Sequence, residues 1–160
     1  MKIVVISDTH GRTDEVIHKV KNMKTPDLIV HLGDYVEDGE KIKKEIGVRT
    51  AIVKGNGDFF NQDYDEDEIV EVMGKRMLLT HGHKYEVRYG TNNLLYRAEE
   101  LNVDIVLFGH THIPVIFEES GIIIMNPGSP SIPRGYKRRK TLGIIEIKEK
   151  IKAKIIEIDD

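Results

Sequence analysis

Side chains of metal-binding type follow short apolar segments at seven places along this chain. They are Asp8, His10, Asp34, Asn56, His81, His110 and His112. The sequence contains no cysteine, so imidazole, carboxylate and amide groups are the strong ligands available. Such a ligand set suits Mn, Fe, Zn or Ni better than Ca or Mg. Seven ligands exceed what one ion usually takes, so the residue types favour more than one divalent ion. We expect Mn, with Ni, Zn or Fe as alternatives.

Glycine stands beside most of these polar residues. It does so in Gly33-Asp34, Gly55-Asn56-Gly57-Asp58, His81-Gly82-His83 and Gly109-His110-Thr111-His112. Tight turns that contain glycine let the backbone present ligands at close quarters. The repetition of glycine next to ligand types therefore indicates turns built around one site.

Buried strands are the elements expected to position these turns. Short apolar runs rich in β-branched residues predict strands at residues 3–6, 28–32, 51–53, 77–79 and 105–108. The polar residues follow the ends of these strands, and ligands of open α/β sheets bind beyond the carboxyl ends of the strands. We therefore expect the seven side chains to converge.

The segments between the strands predict helices early in the chain and hairpins later. Helical spacing of apolar residues predicts helices at residues 14–23 and 38–46, and a further helix at about 92–101. Hairpins are predicted for 69–73 with 77–80, 115–117 with 122–125, and 142–147 with 151–158, so we expect the C-terminal half to be mostly antiparallel.

These elements predict an α/β fold in which a two-layer mixed β-sheet sandwich is flanked by helices. The chain has 160 residues and 18.3 kDa, the common size of one domain, and we expect a single domain over residues 1–160. No repeat, low-complexity tract or linker divides it.

Composition excludes several classes of protein. With 39% hydrophobic and 32% charged residues, the chain is typical of globular proteins rather than disordered or membrane ones. Its net charge of -3 gives no overall attraction to nucleic acid or acidic lipid, although a nucleic-acid ligand is not excluded. The apolar run at residues 3–6 is too short for a signal-peptide core, and no stretch has the length of a membrane span. A cytoplasmic location is the expectation.

The ordered motifs resemble those of the calcineurin-like metallophosphoesterases. These motifs are Asp8-Thr9-His10, Gly33-Asp34, Gly55-Asn56, His81-Gly82-His83 and Gly109-His110-Thr111-His112. The resemblance covers about residues 2–129. The short length and the segment Asn126-Pro127-Gly128-Ser129 are similar to the compact bacterial and archaeal phosphodiesterase subgroup, whose fold has four α/β/β/α layers.

The resemblance implies two metal ions that share one carboxylate. It assigns Asp8, His10 and His112 to one ion. It assigns Asn56, His81 and His110 to the other, with Asp34 between them. It also implies that a metal-activated hydroxide hydrolyses a small phosphodiester, with Asp34, Asn56 and His81 as the catalytic residues.

One position departs from the family pattern. Many members carry a histidine directly after the motif asparagine that protonates the leaving group, whereas this chain has Gly57 followed by Asp58. The compact subgroup tends to lack that histidine as well. The departure predicts slow or leaving-group-selective turnover rather than loss of activity.

Several other residues admit two interpretations. His83, Asp58 and Asn126 are candidate substrate contacts, although strand alternation would point His83 away from His81, and turn geometry explains Asn126 equally well. Asp58 could instead orient Asn56 or His81. His18 and His31 are expected to be packing or surface residues. The basic run 137–140 is expected to be a solvated turn, with phosphate attraction as the alternative.

Other activities also stay open at this point. A phosphomonoesterase or a nuclease of the same family would use the same ligands. The family fold also serves in the retromer complex as a protein-binding subunit with an impaired metal site, so a non-catalytic scaffold is a further alternative. Edge strands near the C-terminus could pair between subunits to form a homo-oligomer.

Overall fold

The computed structural model describes residues 1–158 of the chain and contains ten strands and three α-helices within them. The first half comprises β1 Lys2–Ile6, α1 Asp14–Lys21, β2 Leu28–His31, α2 Val36–Ile46, β3 Thr50–Ile52, β4 Asp67–Val72 and β5 Lys75–Thr80. The second half comprises α3 Asn92–Glu100, β6 Ile105–Leu107, β7 Val115–Glu119, β8 Ile122–Asn126, β9 Thr141–Ile147 and β10 Ile151–Glu157. Every strand and helix predicted from the sequence is present, with ends that differ by one or two residues.

Two five-stranded sheets form the centre of the fold. The first has the order β10-β9-β1-β2-β3, and the second has the order β4-β5-β6-β8-β7. Strands β1, β2 and β3 pair in parallel, and β9 and β10 add antiparallel strands at one side. The expected mixed β-sheet sandwich is thus confirmed.

The C-terminal half is less antiparallel than the sequence indicated. The hairpins β4–β5, β7–β8 and β9–β10 form as expected. However, β6 lies between β5 and β8 and pairs with both in parallel. Helix α3 provides the crossover from β5 to β6, which is what a parallel connection requires.

Alternating side chains of the central strands pack on both faces of each sheet. Ile3 and Val5 of β1 lie in the core between the sheets with Met77 and Ile105. Their neighbours on the opposite face pack against α1 and α2, while α3 covers the outer face of the second sheet. This alternation, with period two, produces four layers in the order α/β/β/α.

The first two helices begin and end where local chemistry permits. Helix α1 buries Val16, Ile17 and Val20 on one face. Helix α2 ends at Gly47, whose φ of 72° suits glycine at a helix C-terminus. Its start at Val36 lies two residues before the predicted start, because a carboxylate from another loop accepts the backbone N–H of this residue.

The carboxyl ends of the parallel strands from both sheets meet at one edge of the sandwich. Backbone hydrogen bonds join the loops there, from Asp8 N–H to the Gly33 carbonyl (3.1 Å) and from Gly109 N–H to the His81 carbonyl (3.0 Å). Within residues 1–158 no helix is long and apolar enough to cross a membrane.

Candidate metal centre

Four of the predicted ligands form a compact cluster at this edge. One ligand atom from each of Asp8, His10, Asp34 and His112 lies within 4.8 Å of the others. These residues come from the loops after β1, β2 and β6, so three separate strands of two sheets contribute to the cluster. Asp8, Asp34 and His112 are buried, and His10 is partly exposed.

His81 and His110 extend this cluster on the other side of Asp34. The Nε2 atom of His81 lies 3.4 Å from Asp34 Oδ1, and His110 Nδ1 lies 3.2 Å from His81 Nε2. Asp34 Oδ2 faces the opposite way and lies 3.7 Å from His10 Nε2. The two oxygens of one carboxylate therefore face two different groups of imidazoles.

Asn56 reaches the site through its neighbour in sequence. It begins a short 3₁₀ turn, and the backbone N–H of Gly57 donates to Asp34 Oδ1 at 2.8 Å. A Cβ atom at position 57 would lie only 3.0 Å from that oxygen, so the absence of a side chain permits this close approach. Asn56 itself is exposed.

Backbone carbonyls fix the orientation of two of the histidines. The Nδ1–H of His81 donates to the Leu32 carbonyl (2.8 Å), and the Nδ1–H of His112 donates to the Ile132 carbonyl (2.7 Å). When Nδ1 carries the proton, Nε2 presents a lone pair. Histidines that bind metals characteristically donate their other N–H in this manner.

Asp8 carries a buried oxygen that lacks a hydrogen bond. Its Oδ2 accepts bonds from Ser7 Oγ (2.7 Å) and from the His110 backbone N–H (3.0 Å). Its Oδ1 has no hydrogen-bond partner within residues 1–158. That atom lies 3.2 Å from His112 Nε2 and 3.8 Å from His81 Nε2. An unpaired buried carboxylate oxygen is costly, and a cation would satisfy it. The donor set therefore fits a divalent metal.

Burial and neighbouring charges shift the pKa values of the histidines in the cluster in different directions. Burial would raise the pKa of Asp8, but the contact with His112 and the fields of both nearby imidazoles outweigh burial and lower that pKa. Burial opposes protonation of His112, but the Asp8 carboxylate outweighs burial and raises its pKa. Burial lowers the pKa of His10, and burial with the field of His81 lowers the pKa of His110 to about 4. The latter two imidazoles thus favour the neutral form that metals require.

The backbone of the site adopts a conformation that L-residues seldom use. Five of the predicted ligands have positive φ in the left-handed region, namely Asp8 (58°), His10 (47°), Asp34 (53°), His110 (67°) and His112 (59°). Such conformations cost free energy and persist where the surrounding contacts impose them, most often at functional sites.

Asp58 joins two loops of the site by hydrogen bonds and is not free to contact a substrate. Its Oδ1 accepts the backbone N–H groups of Tyr35 (2.8 Å) and Val36 (2.9 Å), and its Oδ2 accepts that of Gly55 (2.8 Å). Both oxygens are therefore occupied by backbone groups. The candidate substrate role of Asp58 finds no support here, since the buried carboxylate joins the Asp34 loop to the Asn56 loop.

Asn126 also acts within the protein. It is fully buried, its Nδ2 donates to the Gly109 carbonyl (2.8 Å) and to Thr111 Oγ1 (3.0 Å), and its Oδ1 accepts the Gly128 N–H (2.9 Å). These bonds shape the turn that carries His110 and His112. The substrate contact suggested for Asn126 is therefore replaced by a positioning role.

Ser129 and Ser131 hold the Asp8 loop, a role that the sequence does not indicate. Ser129 Oγ and Ser131 Oγ both donate to the Asp8 carbonyl, at 2.8 and 3.1 Å. Both are buried. The segment after Asn126 was recognised as a motif, but its contact with a residue more than 120 positions earlier has no local signal.

His83 lies nearer the cluster than strand alternation predicted. It begins a 3₁₀ turn rather than continuing β5, and its ring centroid lies 5.5 Å from that of His81. Its Nε2 faces Glu66 Oε1 at 3.5 Å, and burial lowers its pKa. The expectation that its side chain points away is wrong, because alternation does not apply once the strand has ended.

The remaining sequence candidates lie outside the cluster. His18 is exposed on α1, while His31 is fully buried and packs as expected. In the basic run, Lys140 contacts Glu15, and Arg139 Nη1 lies 3.9 Å from Glu157 Oε2. These contacts are typical of a solvated turn.

Comparison with known proteins places this cluster in a family. Residues 1–150 match the model of the calcineurin-like phosphoesterase superfamily domain. The chain is 33% identical over 148 residues to a probable metallophosphoesterase, YsnB, of Bacillus subtilis, covering 92% of this chain and 85% of that protein. It is 27% identical over 168 residues to phosphodiesterase MJ0936 of Methanocaldococcus jannaschii, covering 94% and 95%.

Solved structures agree with this result. A predicted phosphoesterase from Streptococcus pneumoniae superimposes with a TM-score of 0.81 at 30% identity, covering 99% of this chain and 90% of that one. Wild-type Vps29 from Entamoeba histolytica, complexed with zinc, has a TM-score of 0.78 at 22% identity and covers 99% of both chains. The second likeness concerns the fold alone.

Proposed function

Since this chain belongs to the calcineurin-like phosphoesterase superfamily, we propose that it hydrolyses phosphodiester bonds at a centre of two divalent metal ions. Manganese is the ion we favour, with nickel, zinc or iron as alternatives. The proposed substrate is a small phosphodiester, as the name of the Methanocaldococcus jannaschii phosphodiesterase suggests.

The unpaired buried oxygen of Asp8 is the observation that carries this proposal. A carboxylate oxygen that faces the Nε2 atoms of His81 and His112 without accepting a hydrogen bond is suited to bind a cation. The carbonyl partners of both Nδ1 atoms orient the free lone pairs toward the same space. The protein thus presents ligands in advance of binding.

Asp34 is suited to bridge two ions. Its Oδ2 faces His10 on the side of Asp8 and His112, while its Oδ1 faces His81 on the side of His110. In this proposal Asp8, His10 and His112 hold one ion, and His81, His110 and Asn56 hold the other. Two bound ions would supply Lewis acidity and lower the pKa of a water so that it attacks phosphorus.

The loop of residues 55–58 bears on the second ion and on the leaving group. Gly57 and Asp58 hold the loop of Asn56 against Asp34, which supports the proposal that the amide of Asn56 reaches the second ion. Because position 57 carries no side chain, the leaving group lacks the imidazole donor that other members place there. Esters with good leaving groups, such as p-nitrophenolate, should therefore react much faster than alkyl esters.

The test is metal reconstitution with a conservative variant. Protein stripped with chelator receives Mn, Ni, Zn or Mg in turn, and hydrolysis of bis(p-nitrophenyl) phosphate and p-nitrophenyl phosphate is followed. Asp34→Asn removes the bridging charge with little change in shape. Asp14→Asn is the matched control, since that carboxylate is exposed on α1. We expect a transition metal to restore diesterase activity in wild type and in the control, but not in Asp34→Asn.

Other outcomes identify the alternative functions. Faster turnover of the monoester would assign a phosphomonoesterase, and preferential cleavage of polynucleotides would assign a nuclease. If two ions bind tightly but none of these esters turns over, the chain is a scaffold that retains its metal site. Equal rates for aryl and alkyl diesters would refute the absence of a protein acid.

A further inference from the structure

Three exposed aromatic side chains lie on the loops that carry Asp34 and Asn56. They are Tyr35, Phe59 and Phe60, with exposed fractions of 44%, 77% and 93%, and we call them the aromatic rim. The chain has only ten Phe and Tyr residues in all. Exposed aromatic residues grouped on loops beside a candidate metal cluster indicate a surface that binds a ligand.

Tyr35 is fixed against the metal cluster. It directly follows Asp34, and its ring centroid lies 5.3 Å from that of His10 in an edge-on arrangement. Its φ of 80° lies in the left-handed region, where a bulky residue is seldom found. The hydrogen bond from its N–H to Asp58 Oδ1 helps to impose this conformation. Tyr35 therefore adopts a strained backbone conformation that keeps its ring beside His10.

Asp58 also brings Phe59 and Phe60 to the same place. The two phenylalanines follow Asp58 directly, and the carboxylate of Asp58 binds the backbone of Tyr35. The two phenyl rings stack edge to face, with centroids 5.3 Å apart and planes at 82°. Gly57, two residues earlier, is bonded to Asp34. The backbone that carries the two phenylalanines is thus tied to the loop of Asp34 and Tyr35.

Acidic residues predominate in the segments of chain next to the rim, although the Lys54 ammonium donates to the Asn61 carbonyl (3.0 Å) beside Phe60. Tyr64 contacts Glu40, and burial together with the charges of Glu40, Asp63 and Glu37 raises the pKa of Tyr64 to about 12. Negative charge at this side repels a long polyanion. It does not oppose a single uncharged aromatic ring.

We propose that the aromatic rim binds the nucleobase of a small nucleotide phosphodiester while the phosphoryl group lies at the metal cluster. This inference rests on the proposed function and specifies its substrate class. Flat bases stack on aromatic side chains irrespective of sequence, and removing one such side chain weakens binding by roughly five- to a hundredfold. The rim supplies the rings on which the base would stack, and the metal cluster beside it would hold the phosphoryl group.

The test compares two diesters that differ only in the nucleoside. Thymidine 5′-(p-nitrophenyl phosphate) and methyl p-nitrophenyl phosphate have the same leaving group and the same charge. For wild type we expect kcat/KM to be at least about tenfold higher for the thymidine ester, mainly through KM. The ratio should fall toward one in Tyr35→Ala and in a Phe59→Ala/Phe60→Ala double variant, and should persist in Tyr35→Phe.

Tyr96→Ala is the matched control, because Tyr96 is an exposed aromatic residue on α3 that the proposal does not use. It should leave both rates unchanged. A variant that damages the centre lowers both rates together, whereas loss of base stacking changes their ratio. An equal preference for the two esters in wild type would overturn the proposal.

A second readout does not depend on catalysis. Saturation-transfer NMR with thymidine, which carries no phosphate, should detect contact with chelator-treated wild type and with Tyr96→Ala but not with the rim variants. Such contact without turnover of any ester would support the rim while the proposed hydrolysis fails. Turnover without discrimination or contact would overturn the rim and leave the hydrolysis intact. A concentration-dependent dimer lost in the rim variants, with an unchanged ester ratio, would assign the rim to self-association instead.

Discussion

His31 should make the protein sensitive to mild acid. It is fully buried at the end of β2, where the backbone N–H of Gly33 donates to its Nδ1 at 3.4 Å and its Nε2 lies 3.0 Å from Thr9 Oγ1. The tautomer consistent with both contacts carries its proton on Nε2. Protonation of Nδ1 would break the Gly33 bond and charge a group that water cannot reach. Burial accordingly lowers the pKa of His31 to about 4, despite the nearby carboxylates.

The size and sign of the effect follow from proton linkage. An unfolded histidine binds a proton near pH 6.5, whereas the folded one does so near pH 4, so the unfolded state binds more protons between these values. The stabilisation is complete above pH 6.5 and is lost as the pH falls. It amounts to about 2 kcal/mol of lost stability at pH 5, and about 3 kcal/mol below pH 4.

The assay is urea unfolding of chelator-treated protein at pH 7.5 and at pH 5. Chelation removes the separate proton linkage of metal binding. His31→Gln should be less stable than wild type at pH 7.5, by about 1–3 kcal/mol, because a buried bonding pattern is disturbed. However, its additional loss on going to pH 5 should be about 2 kcal/mol smaller than that of wild type. His18→Gln, which removes an exposed histidine from α1, is the control and should lose as much as wild type.

If His31→Gln lost as much stability between the two pH values as wild type does, His31 would not be the source of the acid sensitivity. That result would place the acid sensitivity in the other histidines of the site. A smaller m-value in the variant would instead signal a change in the unfolded ensemble, and the comparison would then be repeated with His31→Asn.

Three further predictions concern the cleft. Gly109→Ala should abolish metal binding and lower the free energy of unfolding by about 1–3 kcal/mol, because its Cβ would lie 2.0 Å from Ser7 Oγ and 2.7 Å from Asp8 Oδ2. Calorimetry with Mn measures the metal affinity, and urea unfolding measures the stability. An unchanged metal affinity would contradict the prediction. Asp58→Asn should weaken metal binding and reduce the free energy of unfolding by about 1–3 kcal/mol, since one acceptor for the backbone N–H groups of Gly55 or Tyr35 is lost. Titration with Mn measures the first effect. Full retention of metal affinity would show that the two loops do not need the Asp58 hydrogen bonds. Mn at a hundred times its dissociation constant should raise the free energy of unfolding of wild type by about 2.7 kcal/mol per site. Thermal unfolding with and without Mn measures this effect. If Mn raised the melting temperature of Asp8→Asn as much as that of wild type, the ion would bind elsewhere.

The sequence predicted the elements and the convergence of four candidate ligands for a physical reason. Apolar periodicity is a local signal, so β1, β2 and the helices could be located, and ligands follow strand ends because parallel strands open onto one edge. Parallel pairing of β6 with both β5 and β8 could not be predicted in this way. It depends on which distant strands fill the centre of a sheet, and no short segment carries that information.

The same distinction explains the errors at the site. His83 was placed by alternation, which fails where β5 gives way to a 3₁₀ turn. For Asp58 and Asn126 the sequence leaves a substrate contact and a structural role open, and the structure favours the structural role, since their partners are mostly backbone groups of other loops. A polar residue in a turn has the same appearance in the sequence whether it faces solvent, substrate or another loop.

The support of Asp8 has a consequence for biosynthesis. Asp8 is held by His110, Ser129 and Ser131, which are more than a hundred residues further along the chain. A nascent chain has made Asp8 and His10 long before these partners exist. The complete geometry of the proposed metal centre therefore forms only after residue 131 has been synthesised and the second sheet has docked. Five of the seven proposed ligands precede residue 110, so an early ion would meet most of them but without the bonds that hold Asp8 in place. In the proposed centre, selection among metals would therefore act on the finished fold.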